Sequence, residues 1–377
     1  MSEVIEMILI LIIVTLCFLM IPFNLQPNAV IEARKKFDLF IRLYDKPYRY
    51  NVREYEHRFQ IFRASLNKIA SLNLRRVEND TAIYGITQYA DLTDQEFLFM
   101  NLADLKHGLI PGITIKEGVN PMDKFIIDSK SAEMKDNIIF SRAKRSLKIP
   151  NYLPKVVDWR LKNVIPSLKS QGNCGACWAI SVVDTIASLS AIKKGSKNVT
   201  ELCTEQIVDC AENGNYGCDG GDTCRLLEWL QNEQIRLNTL QDCESRHLSN
   251  GIKDRCKFPE ANKGDFMTVD RYSCVNLVNR EHLMLRYIAT HGPIVAAVNA
   301  LSWQYYLGGV VQYHCDGDYE DLNHAVEIVG YNLEGSIPYY WVKNSWGPNF
   351  GDHGYIKIEV GKNLCGIANR VSFIELA

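Results

Sequence analysis

The chain carries almost no net charge: 42 Lys and Arg stand against 44 Asp and Glu, leaving −2 over 377 residues. No global field draws it to a polyanion, so a nucleic-acid partner loses its main support. Internal repeats and low-complexity tracts are missing, and 47% hydrophobic against 23% charged residues excludes disorder over most of the length. Cysteine is absent from residues 24–173, yet eleven of the twelve fall between Cys174 and Cys365. That split predicts two segments with different covalent needs, the second stapled by disulfides in an oxidising compartment. Zinc binding through these cysteines is the weaker reading there, and no cofactor or metal is expected.

No Lys or Arg precedes the apolar run Met7–Phe23, which is 17 residues long with Thr15 as its one polar side chain. It is short for a spanning helix and near the upper length of a signal-peptide core, so residues 1–23 read as a secretion signal, with an uncleaved anchor as the alternative. Two Asn-x-Thr sequons, Asn79 and Asn198, fit a luminal chain.

Residues 31–76 read as helices, with Phe59, Phe62, Leu66, Ile69 and Leu72 at three- and four-residue steps along one face. Tyr84 to Phe97 alternates like a short strand and passes into an acidic helix start at Thr93. From Leu98 to about Lys148 periodicity is lost, and the basic cluster Arg142-Ala143-Lys144-Arg145 is a candidate cleavage site. The segment Cys177 to Lys194 is apolar on nearly all sides and predicts a buried helix capped by Gly195; another helix follows over Thr204–Cys210. Beyond residue 290, HGPIVAAVNA, NHAVEIVGYN, PYYWVKNSW and GYIKIEV read as strands. Helices first and strands later predict an α+β protein with two segregated halves.

The sharpest chemical feature is Gln171-Gly172-Asn173-Cys174-Gly175-Ala176-Cys177-Trp178. A cysteine at the first turn of a buried helix meets the positive end of the macrodipole and unpaired N–H groups, which favour thiolate over thiol. A histidine would complete an ion pair, and His324 opens a strand-like stretch twenty residues before Asn344-Ser345-Trp346-Gly347. An Asn carbonyl can hold an imidazole N–H, and an adjacent Trp can keep water off that bond. The competing class is a thiol–disulfide oxidoreductase built on the C-x-x-C pair Cys174 and Cys177, but such a βαβ unit needs neither Gln171 nor NSWG. A peptidase inhibitor confined to residues 31–100 would not retain the nucleophile, base and Asn.

QGNCGACW, GCDGG (Gly217 to Gly221), NHAVEIVGY and NSWG resemble, in order and spacing, the papain-like cysteine peptidases over residues 153–377. Upstream, Glu54, Arg58, Phe62, Ile69 and Asn73, then Gly85, Thr87, Tyr89 and Asp91, resemble the inhibitory prosegment of cathepsin L-type members, with Ser65, Thr87 and Tyr89 departing from its usual residues. Within the family, YYLGGVVQYHC and LCGIA look most like the cathepsin O subfamily.

The resemblance implies a papain-like two-domain α+β fold: a helical left domain, a β-barrel-like right domain, the active-site cleft between them, and a helical prosegment in front. With a signal peptide or signal anchor over 1–23, it implies an inhibitory propeptide over 24–145 and a peptidase domain over 146–377. It further implies Cys177 as nucleophile, His324 as general base and acid, Asn344 as orienting residue and Gln171 as oxyanion donor beside the Cys177 backbone N–H. Cys174–Cys218, Cys210–Cys256 and Cys315–Cys365 would be bridged, while Cys203, Cys224, Cys243 and Cys274 leave three connectivities open.

Gly220, Gly221, Asp222, Ala297, Ala325, Trp346 and Arg370 would line the substrate cleft. Arg370 at the foot of a pocket would favour acidic residues, unless it snorkels to solvent or pairs with Asp222. Lys343 lacks a usual Glu partner, because Ala187 stands in its place, and Asp184 one turn earlier is the candidate replacement. The enzyme would be a zymogen endopeptidase acting on proteins or peptides. It would be monomeric, inhibited by its own propeptide and by cystatin-type proteins, and lysosomal or secreted.

Overall fold

The computed structural model describes residues 27–74, 76, 80–102, 153–243, 256 and 268–377. Met7–Phe23, Asn79, the Arg142–Arg145 cluster and the boundary near residue 145 lie outside the described residues. Among the described residues no helix is long and apolar enough to cross a membrane.

Two compact units divide the chain, Met1–Asn67 and Lys68–Ala377. The first contains α1 (Pro27–Leu43) and most of α2 (Val52–Asn73). Phe37, Phe40, Phe59 and Phe62 are buried, with Phe37 and Phe40 each 5.1 Å from the Phe62 ring centroid. The Arg34 guanidinium lies 4.1 Å over Phe59 and donates to Glu56 at 2.6 Å. The buried face of α2 is Phe59, Phe62 and Ser65, whereas Leu66, Ile69 and Leu72 are only half-buried. The stripe advances in steps of three, so Ser65 takes a place the hydrophobic pattern gave to Leu66.

In the second unit, β1 (Ile83–Tyr84) precedes α3 (Asp94–Asn101). Thr93 and Glu96 form a reciprocal capping box at the start of α3. The strand expected to continue past Tyr84 stops there. The Thr87 hydroxyl accepts from Tyr89 N–H and the Thr87 carbonyl from Ala90 N–H, turning the backbone away from a ladder.

After β2 (Val156–Asp158) comes α4 (Cys177–Lys193), buried from Cys177 through Ala191. It ends where Gly195 takes a φ of 61° and Ser196 N–H reaches back to Ala191 O at 2.9 Å, closing the last turn. Helices α5 (Thr204–Cys210) and α6 (Thr223–Asn232) pack on α4 through Trp178, Val182, Ile186, Ile207, Leu226 and Leu230. Then β3 (Val269–Val275) and α7 (Glu281–Thr290) lead into β4 (Ile294–Val298), β5 (Tyr306–Gly308), β6 (Val310–Val311), β7 (His324–Asn332), β8 (Tyr339–Lys343), β9 (Tyr355–Glu359) and β10 (Val371–Leu376).

One sheet runs β3-β10-β4-β7-β8-β9-β6, with β2 added beside β7, and β1 pairs with β5 in a separate two-stranded ribbon. All ladders are antiparallel except β6 with β9. Helices cluster early and strands late, the segregation an α+β chain requires. Five disulfides close the unit: Cys174–Cys218, Cys203–Cys243, Cys210–Cys256, Cys224–Cys274 and Cys315–Cys365. Of the three pairings left open for the last four cysteines, the structure holds 203–243 with 224–274.

Candidate active site

Cys177 is the first residue of α4, behind an N-cap, Ala176, whose side chain caps nothing. Its N–H therefore lies outside the intrahelical ladder, and its thiol stands at the positive end of the helix. Among the described residues it is the one cysteine without a disulfide, and it is buried. It packs with Ala297, Leu322 and Ala325, the last being the neighbour of His324 on β7.

His324 opens β7, and its Nε2 lies 2.8 Å from Asn344 Oδ1, while its Nδ1 makes no hydrogen bond among the described residues. Asn344 Oδ1 also accepts from Ser345 N–H at 2.8 Å, which fixes the amide's orientation. The Trp346 ring lies 5.0 Å from the imidazole and Trp303 meets it edge-on at 5.9 Å, so two indoles exclude water from the His324–Asn344 bond. Burial pushes the imidazole down to about 4, against the opposing effect of Asn344. As described, His324 is neutral at any pH well above that value.

Gln171 precedes Cys177 by a turn-containing loop and is fully buried. Its Oε1 accepts from Ser345 Oγ at 2.6 Å, and its Nε2 donates to Cys174 O at 2.9 Å and Asn101 O at 3.2 Å. Asn101 is the last residue of α3, so a carbonyl from the N-terminal segment sits on the Gln171 amide. From the same segment, Tyr89 and Phe97 meet Trp346 edge-on at 5.9 and 5.3 Å.

Behind the His324–Asn344 pair lies a buried charge cluster. Lys343 Nζ reaches Asp184 Oδ2 at 2.6 Å, and Lys169 contacts the other Asp184 oxygen. Asp184 thus takes the place left by Ala187, because positions 184 and 187 lie within one turn of α4. Burial raises Asp184, yet Lys343 and Lys169 outweigh it and hold the carboxyl below its usual range. Burial likewise opposes the Lys343 charge, and Asp184 leads the groups that more than restore it.

Of the residues named for the substrate cleft, Ala297 and Ala325 lie in the Cys177 cluster. Gly220 holds a φ of 112°, and a Cβ on Gly221 would come within 2.6 Å of the Trp178 ring, so glycine is required at both. Asp222 caps α6, its Oδ1 accepting from Cys224 and Arg225 N–H at 2.8 and 3.0 Å. Its other oxygen takes the Arg370 guanidinium. Of the three fates open to Arg370, the structure holds the pairing with Asp222. Asn198 is exposed.

Sequence reasoning missed Trp303, Ser345, Glu327 and the Asn101 carbonyl. Trp303 and the Asn101 carbonyl reach the site through chain separations that leave no local pattern, whereas Ser345 and Glu327 lie inside NSWG and NHAVEIVGYN, which carry no sign of their partners.

Residues 153–374 match the Papain family cysteine protease domain, and residues 37–97 match the Cathepsin propeptide inhibitor domain. The chain belongs to the papain family of cysteine proteases. Human cathepsin O is 37% identical over 325 residues, spanning 85% of this chain and 89% of that protein. The thiol protease aleurain of Arabidopsis thaliana is 32% identical over 347 residues, 90% of this chain and 84% of that one. Among solved structures, recombinant stem bromelain precursor superposes with a TM-score of 0.69 at 28% identity, covering 92% of this chain and 99% of that one. Procathepsin L2 from Tenebrio molitor larval midgut gives 0.70 at 26% identity, covering 91% and 100%. This family member is accordingly a cysteine-type peptide hydrolase of papain-like α+β fold, made as a zymogen with its own propeptide as inhibitor. The oxidoreductase reading has no support in these matches, and Cys174 is bound to Cys218 and cannot resolve a mixed disulfide.

Proposed function

We propose that Cys177 is the nucleophile of peptide hydrolysis, His324 its proton shuttle, Asn344 the residue that orients the imidazole, and Gln171 with the Cys177 N–H the oxyanion donors. The carrying observation is the hydrogen bond from His324 to Asn344: committing Nε2 there leaves Nδ1 as the nitrogen for a thiol. The Cys177 thiolate attacks the peptide carbonyl carbon, and the oxygen's developing charge is met by Gln171 Nε2 and the helix-terminal N–H. The imidazolium gives its proton to the departing amine. Water, activated by the neutral imidazole, then hydrolyses the thioester and restores the thiol.

Latency follows from the same geometry. In the proform the Asn101 carbonyl occupies the amide a substrate oxyanion would need, and burial keeps the imidazole uncharged. Removing the segment around Tyr89, Phe97 and Asn101 rehydrates His324, lifts its pKa and permits the thiolate–imidazolium pair. We assign a signal or anchor to residues 1–23, propeptide to 24–145 and peptidase to 146–377, with glycosylation at Asn79 and Asn198. The setting is the lysosome or the cell exterior, the mature enzyme a monomer open to cystatin-type inhibitors. Gly220, Gly221, Asp222, Ala297, Ala325, Trp346 and Arg370 line the substrate cleft. With Arg370 neutralised by Asp222, the pocket foot carries no free charge, and apolar side chains are favoured over acidic ones.

Mature enzyme treated with an active-site-directed epoxide should carry the label on Cys177, read by peptide mass spectrometry together with the new N-terminus. Cys177→Ser should fold and hydrolyse nothing. Label on another cysteine, or activity retained in Cys177→Ser, overturns the assignment.

A further inference from the structure

Glu327 faces Lys343 directly across the β7–β8 ladder, three residues after His324 and one residue before Asn344 in register. It is 2% exposed. The groups facing it are Lys343 from β8, Asp184 and Ser188 from α4, Lys169 from the loop before α4, and Tyr355 from β9. Its Oε1 accepts from Ser188 Oγ at 2.8 Å, but its Oε2 makes no hydrogen bond among the described residues and lies 3.7 Å from Lys343 Nζ. Asp184 holds that ammonium at 2.6 Å. Two lysines are thus already matched by Asp184 and by Glu201, which lies 3.8 Å from Lys169. An ionised Glu327 would be one buried negative charge too many.

We propose that Glu327 is a positioning residue of the His324–Asn344 pair that serves in its protonated form, so that its ionisation contributes the alkaline loss of peptidase activity. The inference rests on the catalytic reading above. Protonated Glu327 leaves Lys343 to Asp184, and β8 ends with Asn344 aimed at the imidazole. Ionised Glu327 competes with Asp184 for the same ammonium. Lys343 is joined to Asn344 by a single peptide bond, so its displacement moves the amide that orients His324. Burial raises the Glu327 carboxyl to about 7, with Lys343 opposing and Asp184 assisting. The sign follows: the folded protein holds this proton where the unfolded chain has released it, so the fold weakens as pH rises from the ordinary carboxyl range towards neutrality.

The test is the pH profile of kcat/KM for the mature enzyme, normalised to titrated active sites, compared with Glu327→Gln. The amide keeps the shape and the Ser188 contact but cannot ionise. Its alkaline midpoint should move up by about half a pH unit or more. Glu327→Leu, equally unable to ionise and apolar in a buried site, should move the midpoint up as well and serves if Glu327→Gln does not fold. A purely structural role would lower stability and leave the profile in place. Profiles of both variants superposing on the parent overturn the proposal; activity surviving Cys177→Ser overturns the catalytic reading instead.

Discussion

Phe97 packs α3 against Trp346 beside the His324 imidazole. It is fully buried in α3 and meets both Trp346 at 5.3 Å and Tyr89 at 5.2 Å, edge to face. Phe97→Ala removes a ring whose loss from a packed site costs about 3–5 kcal/mol. That cost falls on the covered state alone, because the uncovered segment already has its ring in water. At about 1.4 kcal/mol per decade, opening becomes about 10²–10³-fold more frequent. Where reclosing outpaces modification, the rate of Cys177 alkylation by a small iodoacetamide reports that opening equilibrium directly. Uncut Phe97→Ala proform should therefore alkylate about 10²–10³-fold faster than the parent. Phe99→Ala, two residues on in the same helix and 89% exposed, is the control and should change nothing. If the Phe97→Ala proform alkylates within about threefold of the parent, less than 1 kcal/mol was at stake and α3 does not guard the thiol.

Asp184→Asn should destabilise the protein by about 3–5 kcal/mol, because Lys343 and Lys169 would lose their shared counterion; a denaturant midpoint shift under 1 kcal/mol would contradict this. Cys174→Ser, breaking the bridge to Cys218, should cost about 2–5 kcal/mol in the same assay without abolishing active-site labelling, whereas unchanged stability would refute the bridge's role. The Arg34 partner holds Glu56 below its ordinary 4.5, so that pair's stabilisation is complete above this value and is lost as pH falls below it. Proform activation should accelerate on acidification through that range, and a rate independent of pH would exclude this contribution.

What could be read from the chain alone was whatever local spacing encodes. Cys177 at a helix start follows from an apolar run behind a polar loop, while Asp184 as the partner of Lys343 needed the family resemblance, which implies a Glu where Ala187 stands, before the helical offset could be used. The acidic helix start at Thr93 announced α3. The strand extrapolated past Tyr84 failed because Thr87 offers the backbone a nearer hydrogen bond, a competition that alternation does not register. Glu327, Ser345 and the Asn101 carbonyl acquire meaning only through partners 139, 174 and 70 residues away. The outcome at Arg370 depended on Asp222 being pinned by the α6 N-terminus in just the place a guanidinium could reach.

Four of the five bridges interleave: 174–218 overlaps 203–243, which overlaps 210–256, which overlaps 224–274. Eight cysteines admit on the order of a hundred pairings, and interleaved loops mean that an early wrong partner blocks several right ones. Cys177 is a further thiol inside this set, three residues from Cys174, and its helix-terminal position favours the form that attacks disulfides. A chain folding with that thiolate in the open would scramble its own bridges. The covering of Cys177 therefore has a use before any substrate is met. It keeps the reactive sulfur from exchanging with the five bridges of the folded unit.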